Sequence, residues 1–194
     1  MYKKADAIKP VSGSTGAREK LLATTIQLLE SSCLHNISLR TISKKAGTNI
    51  ALVSYYFGSK ELLYKAVLQE QCTSFEAVID SIFSADGDIA ENFTNAFSTL
   101  ASFHATNPHW LKLYLREIAN PTQWYEQIIQ PCMSKATNKA IAMLKSGVAQ
   151  GVFRQDIQPV HVVQALFGML HNSIHDRLSY DQTPSQNNEP LAGS

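Results

Sequence analysis

"SLRTISKKAGTNIALVSYYFGSKELL", residues 38–63, is punctuated by Ser38, Gly47, Asn49, Gly58 and Ser59, each where a helix can start or stop. Ser38, Asn49 and Ser59 are cap residues, whose side-chain oxygens accept from the unpaired N–H groups of a first turn. Gly47 and Gly58 follow helical runs, where a left-handed residue commonly ends a helix. The spacing predicts a short helix over Leu39–Ala46 and a second over Ile50–Phe57. A third opens after Ser59, with Glu61 in its first turn, where the helix dipole favours an acid. Leu39 and Ile42 turn inward on the first of these, with Arg40, Lys44 and Lys45 outward. Ile50, Val53 and Phe57 form the inward stripe of the second.

Helices of about eight residues fall short of the roughly 12–15 at which isolated helices become marginal, so these two must lean on a neighbour. Leu21/Leu22, Thr25/Ile26 and Leu28/Leu29 recur at helical spacing and predict that neighbour as an amphipathic helix over Ala17–Ser32. Two short helices joined by a glycine-containing turn form a helix-turn-helix. Its second helix enters the DNA major groove. That accounts for polar Ser54 beside Tyr55 and Tyr56: this face meets a groove and not a core.

Charge is distributed accordingly. Residues 1–65 hold ten Lys or Arg against four acids, a surplus of six, although the whole chain has a net charge of only +1. The remainder therefore carries −5, the asymmetry expected when one end meets phosphates. Hydrophobic residues at 44 % suit a soluble chain with a real core, and no apolar run approaches the roughly 18 residues that span a bilayer. The N-terminus lacks the apolar stretch of a secretory signal. Cys33, Cys72 and Cys132 are odd in number and widely spaced, which fits buried thiols of a reducing cytoplasm.

Beyond the head the pattern is helical throughout: Ser59–Ser84, Ile89–Thr106, Pro108–Ile118, Pro121–Gly151 with Pro131 kinking or dividing it, and Pro159–Tyr180. The chain is thus all-α. Residues 1–15, with Lys3, Lys4 and Lys9, read as a flexible arm, 16–65 as the DNA-binding domain, 66–180 as a second helical domain, and 181–194 as a polar tail.

With its helix, short helix, Ala-Gly turn and Y-x-F-x-S-K-E-x-L run, "SLRTISKKAGTNIALVSYYFGSKELLYKAVL" resembles the DNA-binding domain of the TetR/AcrR family of bacterial transcriptional repressors over about residues 16–68. The resemblance implies a homodimer, a divergent C-terminal domain for ligand binding and dimerisation, and repression of a double-stranded DNA operator relieved by a small-molecule effector. It puts Arg40 beside the groove, where it can be bidentate to guanine. Thr48, Asn49, Ala51 and Ser54 fall on the groove side of the second short helix, Ala51 offering only an apolar contact. The hydroxyls of Tyr55 and Tyr56 reach phosphate or, for Tyr55, a base; packing is the alternative for either. Lys60 meets a phosphate at a helix N-terminus.

In the second domain Trp110, Tyr114, Trp124 and Phe103 are the candidates to line an effector cavity, since Trp and Tyr offer polar anchors within apolar walls. Arg116 or Glu117 adds a charged contact or pairs on the surface. In "VVQALFGMLHNSI", residues 162–174, Ala165 and Gly168 permit close approach beside Leu166 and Met169, the composition of a dimer face. His171 and His175 lie i, i+4 with Asp176 adjacent, a spacing that can hold a metal but lacks a local third ligand. No cofactor or metal is expected. No nucleophile elbow, P-loop or H-E-x-x-H is present, so no catalytic set is expected. Two other readings stay open: a constitutive dimeric DNA-binding protein without a ligand, and a helical metal protein or enzyme using His171 and His175.

Overall fold

The computed structural model describes residues 14–83 and 87–180, with side chains over 16–83 and 87–172. Residues 1–13 of the expected arm, residues 84–86, the side chains of His175 and Asp176, and the expected tail from 181 lie outside the described residues. Every regular element among those described is helical: α1 (Ser14–Ser31), α2 (Leu39–Lys45), α3 (Ile50–Phe57), α4 (Lys60–Ile82), α5 (Ile89–Thr106), α6 (Pro108–Ala119), α7 (Gln130–Ala149) and α8 (Pro159–Tyr180). A 3-10 turn, Leu34–Asn36, and a π-helical turn, Tyr125–Ile129, complete the set. None of the described helices is long and apolar enough to cross a membrane.

The chain forms two compact units, one of residues up to Asp80 with Asn107–Ala136, the other of Ser81–Thr106 with residues from Thr137. In the first, α1, α2 and α3 pack on one another and α6 packs on α1. Leu21, Leu22 and Leu29 of α1, Ile42 of α2, Val53 of α3 and Leu63 of α4 are all buried. Each such side chain contributes roughly 1.5–3 kcal/mol, which is how two helices too short to stand alone are held. The helix boundaries have the predicted chemistry. Ser38 Oγ accepts from Thr41 N (3.0 Å), Asn49 Oδ1 from Ala51 N (2.9 Å) and Ser59 Oγ from Leu62 N (3.2 Å). Gly47 (φ +63°) and Gly58 (φ +79°) occupy the left-handed region that glycine alone enters freely.

Ile50 departs from the predicted stripe: it is 46 % exposed, while Val53 and Phe57 are buried. The i, i+4 pair makes the contact, and Ile50, first in the helix, lies beyond it. Pro131 divides the segment expected over 121–151. It stands in the first turn of α7, where its missing N–H costs nothing, and the chain before it is wound as the π-helical turn.

In the second unit α5 packs on α8, with Ala96 and Leu100 of α5, Ala140 and Leu144 of α7, and Val163 and Phe167 of α8 buried. Phe93 meets Phe97 and Phe153 at ring-centroid distances of 5.0 and 5.5 Å. The Phe153 ring lies against Gly147 so closely that a Cβ there would stand 2.3 Å from it.

Candidate nucleic-acid interface

α3 presents a polar, largely exposed surface on a buried base. Asn49, Ala51, Ser54 and Tyr55 are exposed, Tyr55 by 65 %, while Val53 and Phe57 fix the opposite face. Asn49 combines two tasks: its Oδ1 caps the helix, and its amide NH2 remains for an outside acceptor. Thr48 is half-buried, its N–H donating to Ser43 O (2.9 Å) and its hydroxyl reaching the same carbonyl at 3.5 Å. It therefore fastens the turn between α2 and α3. Tyr56 is half-buried between Tyr55 (5.0 Å, edge-on) and Phe57 (6.3 Å, edge-on). Packing thus accounts for much of its ring, whereas Tyr55 projects.

Arg40, Lys44 and Lys45 are exposed on α2, beside this surface in the same unit. Lys60 stands in the first turn of α4, its Nζ donating to His35 O at 3.3 Å. The adjacent Glu61 carboxyl is held below its usual range by hydrogen bonds from its own N–H and Ser59. This is the helix N-terminus stabilising an anion. The structure thus groups Arg40, Asn49, Ala51, Ser54, Tyr55 and Lys60 within one helix-turn-helix region. It gives Thr48 and Tyr56 a structural share.

Of the aromatic candidates, Trp110 and Tyr114 meet, while Trp124 meets Lys65 and Phe103 meets His104. Trp110 is wholly buried, stacked on Phe75 (5.1 Å) and near-parallel to Tyr114 (6.3 Å), and its indole N–H has no hydrogen-bond partner. Trp124 is half-exposed with Lys65 Nζ over its ring at 4.6 Å, a cation–π contact. Phe103 belongs to the second unit, edge-on to His104. His104 is buried 5.6 Å from the His171 ring, and burial, aided by His171, lowers its pKa to about 4. Among the described residues no three His, Cys, Asp or Glu converge as metal ligands.

A cavity of about 520 Å³ instead opens within the first unit, lined by residues that include His35, Lys60, Tyr64, Arg116, Glu117 and Asn120. At its wall the Glu117 carboxylate is wholly buried and held by three donors: it accepts from Tyr64 OH (2.7 Å), Thr122 N (3.1 Å) and the Thr122 hydroxyl (2.9 Å). Burial and this carboxylate raise the Tyr64 pKa well above its ordinary 10.0. The sequence singles out Arg116 and Glu117. It carries no signal that His35, Tyr64 or Asn120 would join them. On α8, Ala165, Gly168 and Met169 are exposed, Met169 by 61 %, and Leu166 is half-buried, opposite buried Val163 and Phe167.

Residues 21–67 match the family model for bacterial regulatory proteins of the tetR family. No curated protein matches the chain. Among solved structures, the fold is similar to that of the transcriptional regulator FadR from Bacillus subtilis in complex with stearoyl-CoA, at TM-score 0.71 and 16 % identity over 86 % of this chain and 89 % of that one. The fatty acid degradation regulator FadR from Bacillus halodurans gives TM-score 0.72 and 18 % identity over 91 % and 90 %. The ketosteroid transcriptional regulator KstR2 of Mycobacterium tuberculosis gives 0.69 and 17 % over 93 % and 88 %.

Proposed function

We propose that this chain, whose residues 21–67 match the family model for bacterial regulatory proteins of the tetR family, is a transcriptional regulator that binds a palindromic DNA operator as a homodimer in the cytoplasm and is released by a small-molecule effector. The observation that carries the reading is the capped, polar and exposed face of α3 set on buried Val53 and Phe57. Asn49, Ala51, Ser54 and Tyr55 read the groove, Arg40 addresses a base, and Lys60 and Tyr56 meet the backbone. Dimerisation uses α8, where exposed Met169 with Ala165, Gly168 and Leu166 offers an apolar face that a lone chain leaves in water. An effector weakens DNA binding by no more than its differential affinity for the free and DNA-bound arrangements.

The test is selection of binding sites from a random duplex library by the purified chain. Enrichment of inverted half-sites centred about 34–36 Å apart, one helical turn, is the expected result. Recovery of unenriched sequence at moderate salt contradicts the proposal.

A further inference from the structure

Ile50 is out of place on a helix whose core face is already complete. Val53 and Phe57 are buried, whereas Ile50 leaves 46 % of its surface in water. Ser54 lies one turn further on, at i+4, so the two share a face, and exposed Ala51 stands beside Ile50. Ile50 is also the first residue of α3. Helical side chains lean towards the N-terminus, so it projects from the end at which a recognition helix meets base edges. An exposed branched aliphatic group at that point serves neither the core nor the cap.

Asn49, immediately before it, has the complementary chemistry. Its Oδ1 accepts from Ala51 N at 2.9 Å, and this bond orients the amide so that the NH2 is what it offers outward. The end of α3 thus sets a hydrogen-bond donor next to an apolar group. In the major groove only thymine answers with an acceptor, O4, next to an apolar group, the C5-methyl. Cytosine presents a donor, adenine a donor and an acceptor, and guanine two acceptors.

We infer that Ile50 and Asn49 together read one thymine in each half-site, Ile50 covering the methyl and Asn49 donating to O4. The inference rests on the regulator reading and names a base within it. Discrimination comes from both sides: a polar base edge covered by Ile50 loses its water and gains no hydrogen bond in return.

The experiment uses the full chain and the operator selected from the random duplex library, with affinity read by fluorescence anisotropy. Each thymine of a half-site is replaced in turn by deoxyuridine, which lacks only the methyl and keeps every hydrogen-bonding group. At one position the replacement is expected to weaken the wild type about fourfold, the value of one buried methyl-sized group. Ile50→Ala, at an unchanged melting midpoint, should bind the thymine and deoxyuridine operators within about twofold of each other at that position. Asn49→Ser, which keeps a cap, should lower the preference for T·A over C·G there by about fivefold or more. A wild type indifferent to every deoxyuridine overturns the inference. So does a methyl effect undiminished in Ile50→Ala, which assigns the methyl to another residue, or an unchanged T·A preference in Asn49→Ser. A library that yields no enriched operator fails the regulator reading and this inference with it, whereas an enriched operator whose thymine methyls go unread fails this inference alone.

Discussion

Tyr64→Phe removes one oxygen from the buried pair that joins α4 to α6. Tyr64 is 2 % exposed and Glu117 wholly buried, so water does not replace the lost donor. The carboxylate keeps its two bonds from Thr122 and loses the 2.7 Å bond to Oε1. A hydrogen bond to a charged group is worth about 1.5–3 kcal/mol. For a chain of 194 residues that lowers the melting midpoint by about 3–12 °C. The titration supplies a second signature. The tyrosine's pKa is raised in the folded state, so folded chains keep the proton to higher pH than unfolded ones. The stability this gives is fully present below the ordinary value of 10.0 and is lost as pH rises above it, at about 1.4 kcal/mol per pH unit. Urea unfolding of both proteins between pH 8 and 11 measures this. The wild type should lose more stability above pH 10 than the variant, and Glu117→Gln combined with Tyr64→Phe should cost less than the two changes added. A variant that melts within about 1 °C of wild type, with an unchanged alkaline slope, refutes the reasoning.

His104, whose folded pKa is about 4 against 6.5 for a free imidazole, binds a proton more readily when unfolded, so stability is full above pH 6.5 and falls as pH drops towards 4. The loss attributable to it approaches about 3 kcal/mol, and His104→Phe should flatten acid unfolding over that window in urea titrations. Gly147→Ala places a Cβ 2.3 Å from the Phe153 ring and 3.1 Å from Ile89, and should cost about 1–3 kcal/mol in urea-monitored stability. Lys60→Ala should weaken DNA binding uniformly across sequences and reduce the salt slope by about 1, as measured by anisotropy at several salt concentrations. Arg40→Ala should instead relax preference at one base position, by about 1–3 kcal/mol in competition with substituted operators.

The head is legible in sequence because its determinants are local. Ser38, Asn49 and Ser59 accept from N–H groups two or three residues on, and Gly47 and Gly58 bend the chain where they stand. Periodicity likewise marks which face of each long helix is apolar. It does not say which faces meet. Tyr64 and Glu117 are 53 residues apart, and Arg116 reaches Leu29 across 87. Nothing in the spacing of either pair announces the contact, or the cavity that Tyr64, Arg116 and Glu117 border. Trp110 shows the converse. Its size and indole N–H mark it as a pocket wall, but stacking on Phe75 makes it core. Ile50 shows that a stripe in sequence ends where the packed helix ends.

The central claim, that the outward face of α3 enters a DNA groove, is tested most directly by Ala51→Glu. Ala51 is exposed, so the change leaves the fold intact, while a carboxylate at that point faces phosphates and the acceptor-rich groove floor. Fluorescence anisotropy with the selected operator should show at least a hundredfold loss of affinity at an unchanged melting midpoint. Equal affinity in the two proteins would contradict the account.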